Sequence, residues 1–454
     1  MATNTVTNWF GNIVSHPQVI VDANSVDDIV AVLKDPATYP SPVRAVGSNH
    51  STAPCGVAEG GTLIRMKMNQ ILNINASSNP PTLTVQAGAT HLHMAQALQA
   101  QNLQFYVNTE IGSLSAGSAA CAGTKDASFD GQYGQVGSYV IGAKMVLPSG
   151  ELLEVTEADQ PDLMQLLRSS YGLFGVIYEV TYQVRALTPM HVHHTTYELQ
   201  DFIAALPELK ASGYAMMFYM FPFQNKITVE FRKDNPSATG EPNHVAWALR
   251  NHIWGSFGPK FGHDTEQNFS VPAIRYDIID TFNAAWRLQL ETIVSSDNTL
   301  PAAQIIDYPP VSDDHRYTFS LFAFAEDAYP AAITDFYKFC NDYYKQKGYR
   351  SNLLYVGYRI AQDQKALLSY SWDTTVMTLD PVSTANEGWY DFLLAYNQFC
   401  TDRNGIPLLN QTPNLTPEIL QKAFGSRLQT LANVRKQYDP NDRMLNDYFR
   451  TLLS

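Results

Sequence analysis

Hydrophobic and polar positions follow two rhythms along the first 187 residues. The runs QVIVDA (18–23), PVRAVG (42–47) and TLTVQAGAT (82–90) are rich in β-branched residues and read as strands. Between them, SVDDIVAVLKD (25–35) and HLHMAQALQAQNL (91–103) place apolar residues at helical spacing. Ser25 stands where an N-cap belongs, with Asp28 three residues on to close a capping box. SYVIGAKMVLPSGELLEV (138–155) predicts two strands joined at a Pro-Ser-Gly turn.

The pattern breaks between about 105 and 137, where Gly, Ser and Ala dominate TEIGSLSAGSAACAGTKDASFDGQYGQVG. Such a run packs no core of its own, and its small residues let backbone approach a ligand closely. Beyond Pro189 the chain turns rich in Tyr, Phe and Trp, which sets a domain boundary near 187. Strands such as KITVEFR (226–232) and NLLYVGYRI (352–360) mix there with helices such as AAITDFYKFCNDYYKQK (331–347), predicting an antiparallel sheet with helices on one side. The last stretch, from Thr430, reads as a helix, an Asp439-Pro440 turn and a short apolar ending. The expected fold class is α+β, in two lobes: 1–187, and 188–430 with an antiparallel sheet.

At 454 residues, one core would be overgrown, so separate cores are expected. A hydrophobic share of 45% against 16% charged residues marks an ordered globular protein. The net charge of −13, without any basic run, argues against a nucleic-acid partner. Cys55, Cys121, Cys340 and Cys400 form no C-x-x-C pair, so neither a zinc site nor a disulfide framework is expected. No signal-like N-terminus or membrane span is legible, and the expected location is the cytoplasm.

Dinucleotide and P-loop fingerprints, H-E-x-x-H and G-x-S-x-G are all missing. What remains is Val43-Arg44-Ala45-Val46-Gly47-Ser48-Asn49-His50-Ser51, a strand entering a tight turn that carries a histidine. Successive N–H groups in such a turn make a concave anion site. The second small-residue segment, about sixty residues on, supplies the opposite wall that a dinucleotide needs. His191, His193 and His194 lack accompanying carboxylates or cysteines at ligand spacing and read as a connecting strand, so no metal is expected. His91 and His93 diverge on a helix and read as structural.

GSNHS, IGSLSAGSAACAGT, LPSGE and GLFGVIYEV occur in the order and spacing of the vanillyl-alcohol-oxidase (PCMH-type) FAD-linked oxidases. The chain resembles most the sugar-lactone and alditol oxidase branch, and its ending YDPNDRMLNDYFRTLL is similar to theirs. The resemblance implies a PCMH-type FAD-binding domain over 1–187, a substrate cap over 188–430 and a segment, 431–454, returning to the first domain. It implies FAD bonded covalently to His50. Val46, Gly47, Ser48, Asn49 and Ser51 would surround the pyrophosphate, and Ile111, Gly112, Ser113, Ser115, Ala116, Gly117, Ala120, Gly123 and Thr124 would run along the flavin. Val176 and Ile177 would lie beside the adenine. Cys121 falls later in the run than a second linking cysteine would, and reads as a small buried hydrophobe.

On the substrate side the chain departs from these relatives. Their Glu-x-Arg strand matches Gly357-Tyr358-Arg359, which keeps the arginine and loses the carboxylate. Alternation puts Tyr355, Gly357 and Arg359 on one face, giving Arg359 as stabiliser of a substrate oxygen or the reduced flavin and Tyr355 as hydrogen-bond partner or proton acceptor. Their Gly-Arg-Pro-His-Trp run matches Gly405-Ile406-Pro407-Leu408-Leu409, and its polar pair has become apolar. Each unpaired buried hydroxyl costs about 1–3 kcal/mol, so a polyol fits less well than a less polar small molecule. The resemblance implies hydride transfer to flavin N5, with O2 as acceptor. Three readings stay open: an oxidase or dehydrogenase of a specialised metabolite, a sugar-lactone or alditol oxidase, and a non-redox flavoprotein.

Overall fold

The computed structural model describes residues 4–309, 311–312 and 316–453. The helix Val26–Lys34 begins as its sequence asks, with the Ser25 side chain accepting from Asp28 N–H and Asp28 answering with a bond from the Ser25 backbone. It follows the strand Val19–Ala23, which pairs in parallel with Thr62–Met66, itself parallel to Val43–Val46. Beside this small parallel sheet stands an antiparallel sheet of five strands, in the order Leu152–Thr156, Val140–Val146, Val176–Gln183, Thr82–Gln86, Ile71–Asn75. The turn after Val46 and the glycine-rich segment lie between these two sheets.

The later chain builds a further, antiparallel sheet, eight strands wide. Its order is Ser296–Thr299, Met190–Glu198, Lys226–Asp234, Ala215–Phe221, Tyr355–Ile360, Val376–Leu379, Phe322–Ala325, Ile406–Pro407. One face is covered by the helices Leu199–Ala211 and Tyr329–Lys347: Phe218 meets Phe202 and Tyr329, and Tyr355 meets Phe336. The other face looks at the first lobe. There Arg232 bonds Asp126, and the Lys125 ammonium sits over the Tyr358 ring. The two lobes together form the α+β architecture expected from the sequence.

The C-terminal residues lie against the first lobe. Arg443 donates to the carbonyls of Val32 and Leu33, Val43 N–H donates to Arg443 O, and Asn446 binds the carbonyls of Pro54, Cys55 and Val57. The final apolar residues form a short helix, Asp447–Leu452, capped by Asn446.

Candidate active site

Between the two first-lobe sheets runs a cleft of about 1150 Å³, open in part to solvent. Twelve of the residues named from sequence line it: Val46, Gly47, Ser48, Asn49, His50, Ser51, Ile111, Ser115, Gly117, Thr124, Val176 and Ile177. Gly112, Ser113, Ala116, Ala120 and Gly123 stand behind this wall. Ser113 still reaches in, for its Oγ lies 3.0 Å from His50 Nε2. Gly123 adopts φ +64°, and a Cβ there would come within 2.7 Å of Leu408 Cδ1, so the apolar Leu408 packs directly on the glycine-rich segment.

The turn is built to hold an anion. Asn49 takes a left-handed φ of 54°, and the N–H groups of Ser48, Asn49, His50 and Ser51 donate to no described residue. A run of free amides around a left-handed residue forms an anion nest. Gly47 is required because a Cβ there would lie 2.0 Å from Ser115 Oγ. Beneath the turn, the Arg44 guanidinium binds the carbonyls of Cys55, Met444 and Tyr171 and makes no ion pair among the described residues. A buried cation without a carboxylate favours an anionic guest. The amide row, this cation and the flanking small residues fit an FAD, with its pyrophosphate at the turn.

His50 is half-buried at the end of the turn, its ring stacked on Trp9. Burial, then the charge of Arg316, push its pKa down to about 4, so the imidazole is neutral at pH 7. Cys121 lines the cleft as well, but burial pushes its thiol up to about 11, leaving no thiolate for a second bond.

A charged cluster lies between the lobes, next to the cleft wall. Ile111 and Thr124 line the cleft, and their neighbours Glu110 and Lys125 turn away from it toward the cap sheet. Glu230 accepts from Arg232 Nε at 2.5 Å, Tyr219 OH at 2.6 Å and the His194 ring at 2.9 Å. Arg232 donates to Asp126 at 2.8 Å, and Arg250 donates to Glu110 at 3.0 Å and to Tyr219 at 2.8 Å. Burial would raise Glu230, yet Arg232, His194 and Arg250 outweigh it and hold this carboxylate well below the usual range. Burial pushes Asp126 up to about 6 against the pull of Arg232.

Tyr355 and Arg359 do not reach this cluster. Alternation does place them on one face, but that face packs on the helices: Tyr355 is 1% exposed against Phe336, and Arg359 bonds Glu326. The residues facing the first lobe are Val356, Tyr358 and Ile360. Aligning arginine with arginine slips the strand by one residue, and a slip of one exchanges the faces. Sequence reasoning also missed Glu230-Phe231-Arg232, a Glu-x-Arg on the lobe-facing side of its strand, together with Asn410, Gln411 and Phe319 in the cleft wall. The signal for the first was a pair of opposite charges alternating with Val229 and Phe231 on its strand.

Fold and cleft together make a site with the shape and donors that a bound dinucleotide requires. Residues 17–156 match the family described as FAD binding domain. The chain is 24% identical over 220 residues to L-gulono-1,4-lactone dehydrogenase of Mycobacterium tuberculosis, covering 48% of this chain and 50% of that protein. It is also 24% identical over 228 residues to L-gulonolactone oxidase of Bos taurus, covering 50% of each. The matches thus span about half the length of these curated relatives. A cholesterol oxidase structure from Brevibacterium sterolicum aligns over 100% of this chain and 97% of its own, with TM-score 0.78 and 16% identity. A solvent-stable cholesterol oxidase aligns with TM-score 0.76, also at 16% identity, over 100% of this chain and 98% of its own. Residues 17–156 thus carry an FAD-binding-domain match, the chain is similar over about half its length to sugar-lactone dehydrogenases and oxidases, and its fold is that of the cholesterol oxidases. Among its described residues no helix is long and apolar enough to cross a membrane.

Proposed function

We propose that this protein is an FAD-dependent oxidoreductase that takes a hydride from a small organic substrate bound between the cleft and the cap sheet. The observation that carries the reading is one cleft that holds an amide nest and a buried cation at one part and a neutral, Trp9-stacked histidine at the end of the same turn. Bound FAD supplies the two-electron acceptor. The Ser48–Ser51 amides and Arg44 hold its pyrophosphate, His50 anchors the ring covalently, and Val176 and Ile177 flank the adenine. A neutral imidazole has the free lone pair that forming such a bond requires.

The substrate end is closed by Tyr358, Leu408 and the charged cluster. Tyr358 and Leu408 are 4% and 1% exposed, so the reacting atoms are held in a water-poor space, where electrostatic interactions are strong. The cap offers few uncommitted polar partners, which favours a specialised metabolite of modest polarity. The lactone-oxidising relatives support a second reading, oxidation of a sugar lactone. O2 is the proposed acceptor, and the four buried free cysteines suit a reducing compartment such as the cytoplasm.

Anaerobic mixing of the FAD-loaded protein with a panel of alcohols, amines and lactones tests the proposal. Bleaching of the flavin by one class, followed by peroxide on return of air, is the expected result. Flavin that no panel member reduces would favour a non-redox role.

A further inference from the structure

Asp380 closes the strand Val376–Leu379 on the lobe-facing side of the cap sheet, bridged to Val356. It is 1% exposed, and its two oxygens differ. Oδ2 lies 3.2 Å from Lys125 Nζ, while Oδ1 has no hydrogen-bond partner. Lys125 follows Thr124 of the cleft wall and sits 4.3 Å from the centroid of the Tyr358 ring. Tyr370 is also fully buried with an unpartnered hydroxyl, and a Cβ on Gly123 would lie 3.8 Å from its ring. Leaving a buried polar atom unpaired costs about 1–3 kcal/mol. Two such atoms beside the glycine-rich segment mark a place where a guest completes the bonding.

We propose that Asp380, held by Lys125, is the catalytic base of the proposed oxidation, and that the substrate is an alcohol oxidised at its carbinol carbon. This rests on the reading of the protein as an FAD oxidoreductase. The carbinol C–H breaks as its hydrogen and electron pair pass to FAD, which is reduced by two electrons. The O–H breaks as its proton passes to Asp380 Oδ1, and the carbon–oxygen double bond forms, leaving a carbonyl product. Tyr370 OH donates to the same oxygen. A hydroxyl suits this place because it donates to Oδ1, the oxygen without a partner, while its own oxygen accepts from the Tyr370 hydroxyl.

The groups facing Asp380 are Lys125 from the first lobe, Thr378 and Tyr358 from the sheet, and Tyr329, Tyr370 and Tyr396 around it. Burial pushes the carboxyl up to about 6 against the pull of Lys125, so it accepts a proton readily while ionised at pH 7.

The test compares full-length FAD-loaded wild type with Asp380→Asn and Asp380→Glu. Wild-type flavin reduction by primary, benzylic or alicyclic alcohols should rise with pH through about 6. Asp380→Asn should lose about 10²–10⁴-fold in that rate with flavin loading unchanged, and Asp380→Glu should recover much of it with a shifted pH profile. Reduction of Asp380→Asn at the wild-type rate, or of wild type by amines and not alcohols, would overturn the proposal. Infrared spectroscopy supplies an arm independent of turnover, with cyclohexanol as probe. A carboxyl band absent from Asp380→Asn should titrate in wild type and move when cyclohexanol is added. A band indifferent to cyclohexanol and to Lys125→Met overturns the assignment, whereas a responsive band in a protein whose flavin no compound reduces refutes the oxidoreductase reading instead.

Discussion

The ring of His50 stacks on Trp9 at 4.7 Å between centroids, with the planes 26° apart. Trp9 also meets Tyr317 edge-on and lies beneath the Arg316 guanidinium, so the histidine is oriented from a wall the first strand pairs do not supply. Trp9→Ala should leave FAD binding intact but lower the fraction attached covalently, because the imidazole loses its fixed plane. Incubating apoprotein with FAD and following acid-stable absorbance over time checks this. Attachment as fast as in wild type would show that the stacking does not matter.

Gly47 and Ser115 touch where a side chain has no room. A Cβ on residue 47 would fall 2.0 Å from Ser115 Oγ and 2.5 Å from its Cβ. Gly47→Ala should cost about 1–3 kcal/mol of stability through overpacking and weaken FAD retention with it. Urea unfolding and flavin retained on gel filtration measure the two effects.

The charged cluster makes a sharper stability claim. Glu230 is fully buried against Arg232 and Arg250. Glu230→Gln leaves two cations under-neutralised and should destabilise by about 3–5 kcal/mol. A loss below about 1 kcal/mol in urea midpoints would mean that solvent reaches the cluster.

Acid should destabilise the protein partly through His91, which is fully buried, stacked on Phe105 and pushed by burial down to about 4. A histidine whose folded pKa is lowered binds fewer protons than the unfolded chain between the two values. Its contribution is therefore complete above 6.5 and is lost as pH falls from 6.5 to 4. That window corresponds to about 3 kcal/mol. His91→Gln should flatten the wild-type loss of stability across it, and identical pH slopes for the two proteins would contradict the assignment.

Arg359 and Tyr355, the pair an arginine-to-arginine alignment selects, should be dispensable for flavin reduction. Arg359→Ala breaks a partly buried pair with Glu326 on the far face of the sheet and should cost about 1 kcal/mol. Stopped-flow reduction by whichever substrate serves wild type should keep its rate, and a hundredfold loss would return Arg359 to the site.

The contrast between these residues and His50 shows what the sequence could carry. Ser25 and Asp28, or Gly47 and His50, act through local geometry, and a local pattern suffices to find them. The strand Tyr355–Ile360 was legible as a strand, and its alternation was correct. Which face met the first lobe depended on pairing with Ala215–Phe221, a relationship between distant segments that no local pattern records. Glu230 and Arg232 alternate with Val229 and Phe231 on their strand, but their partners Asp126 and Glu110 lie about a hundred residues earlier. Asn410 and Gln411 enter the cleft only because the late chain folds back over it.

His50 is the proposed covalent carrier of the flavin. Intact-mass measurement of denatured protein after incubation with FAD tests it most directly, with wild type and His50→Ala side by side. Wild type should gain the mass of one FAD and stay yellow through acid precipitation, while His50→Ala should keep its apoprotein mass. Wild type at apoprotein mass, with all the flavin free in the acid supernatant, would contradict the claim.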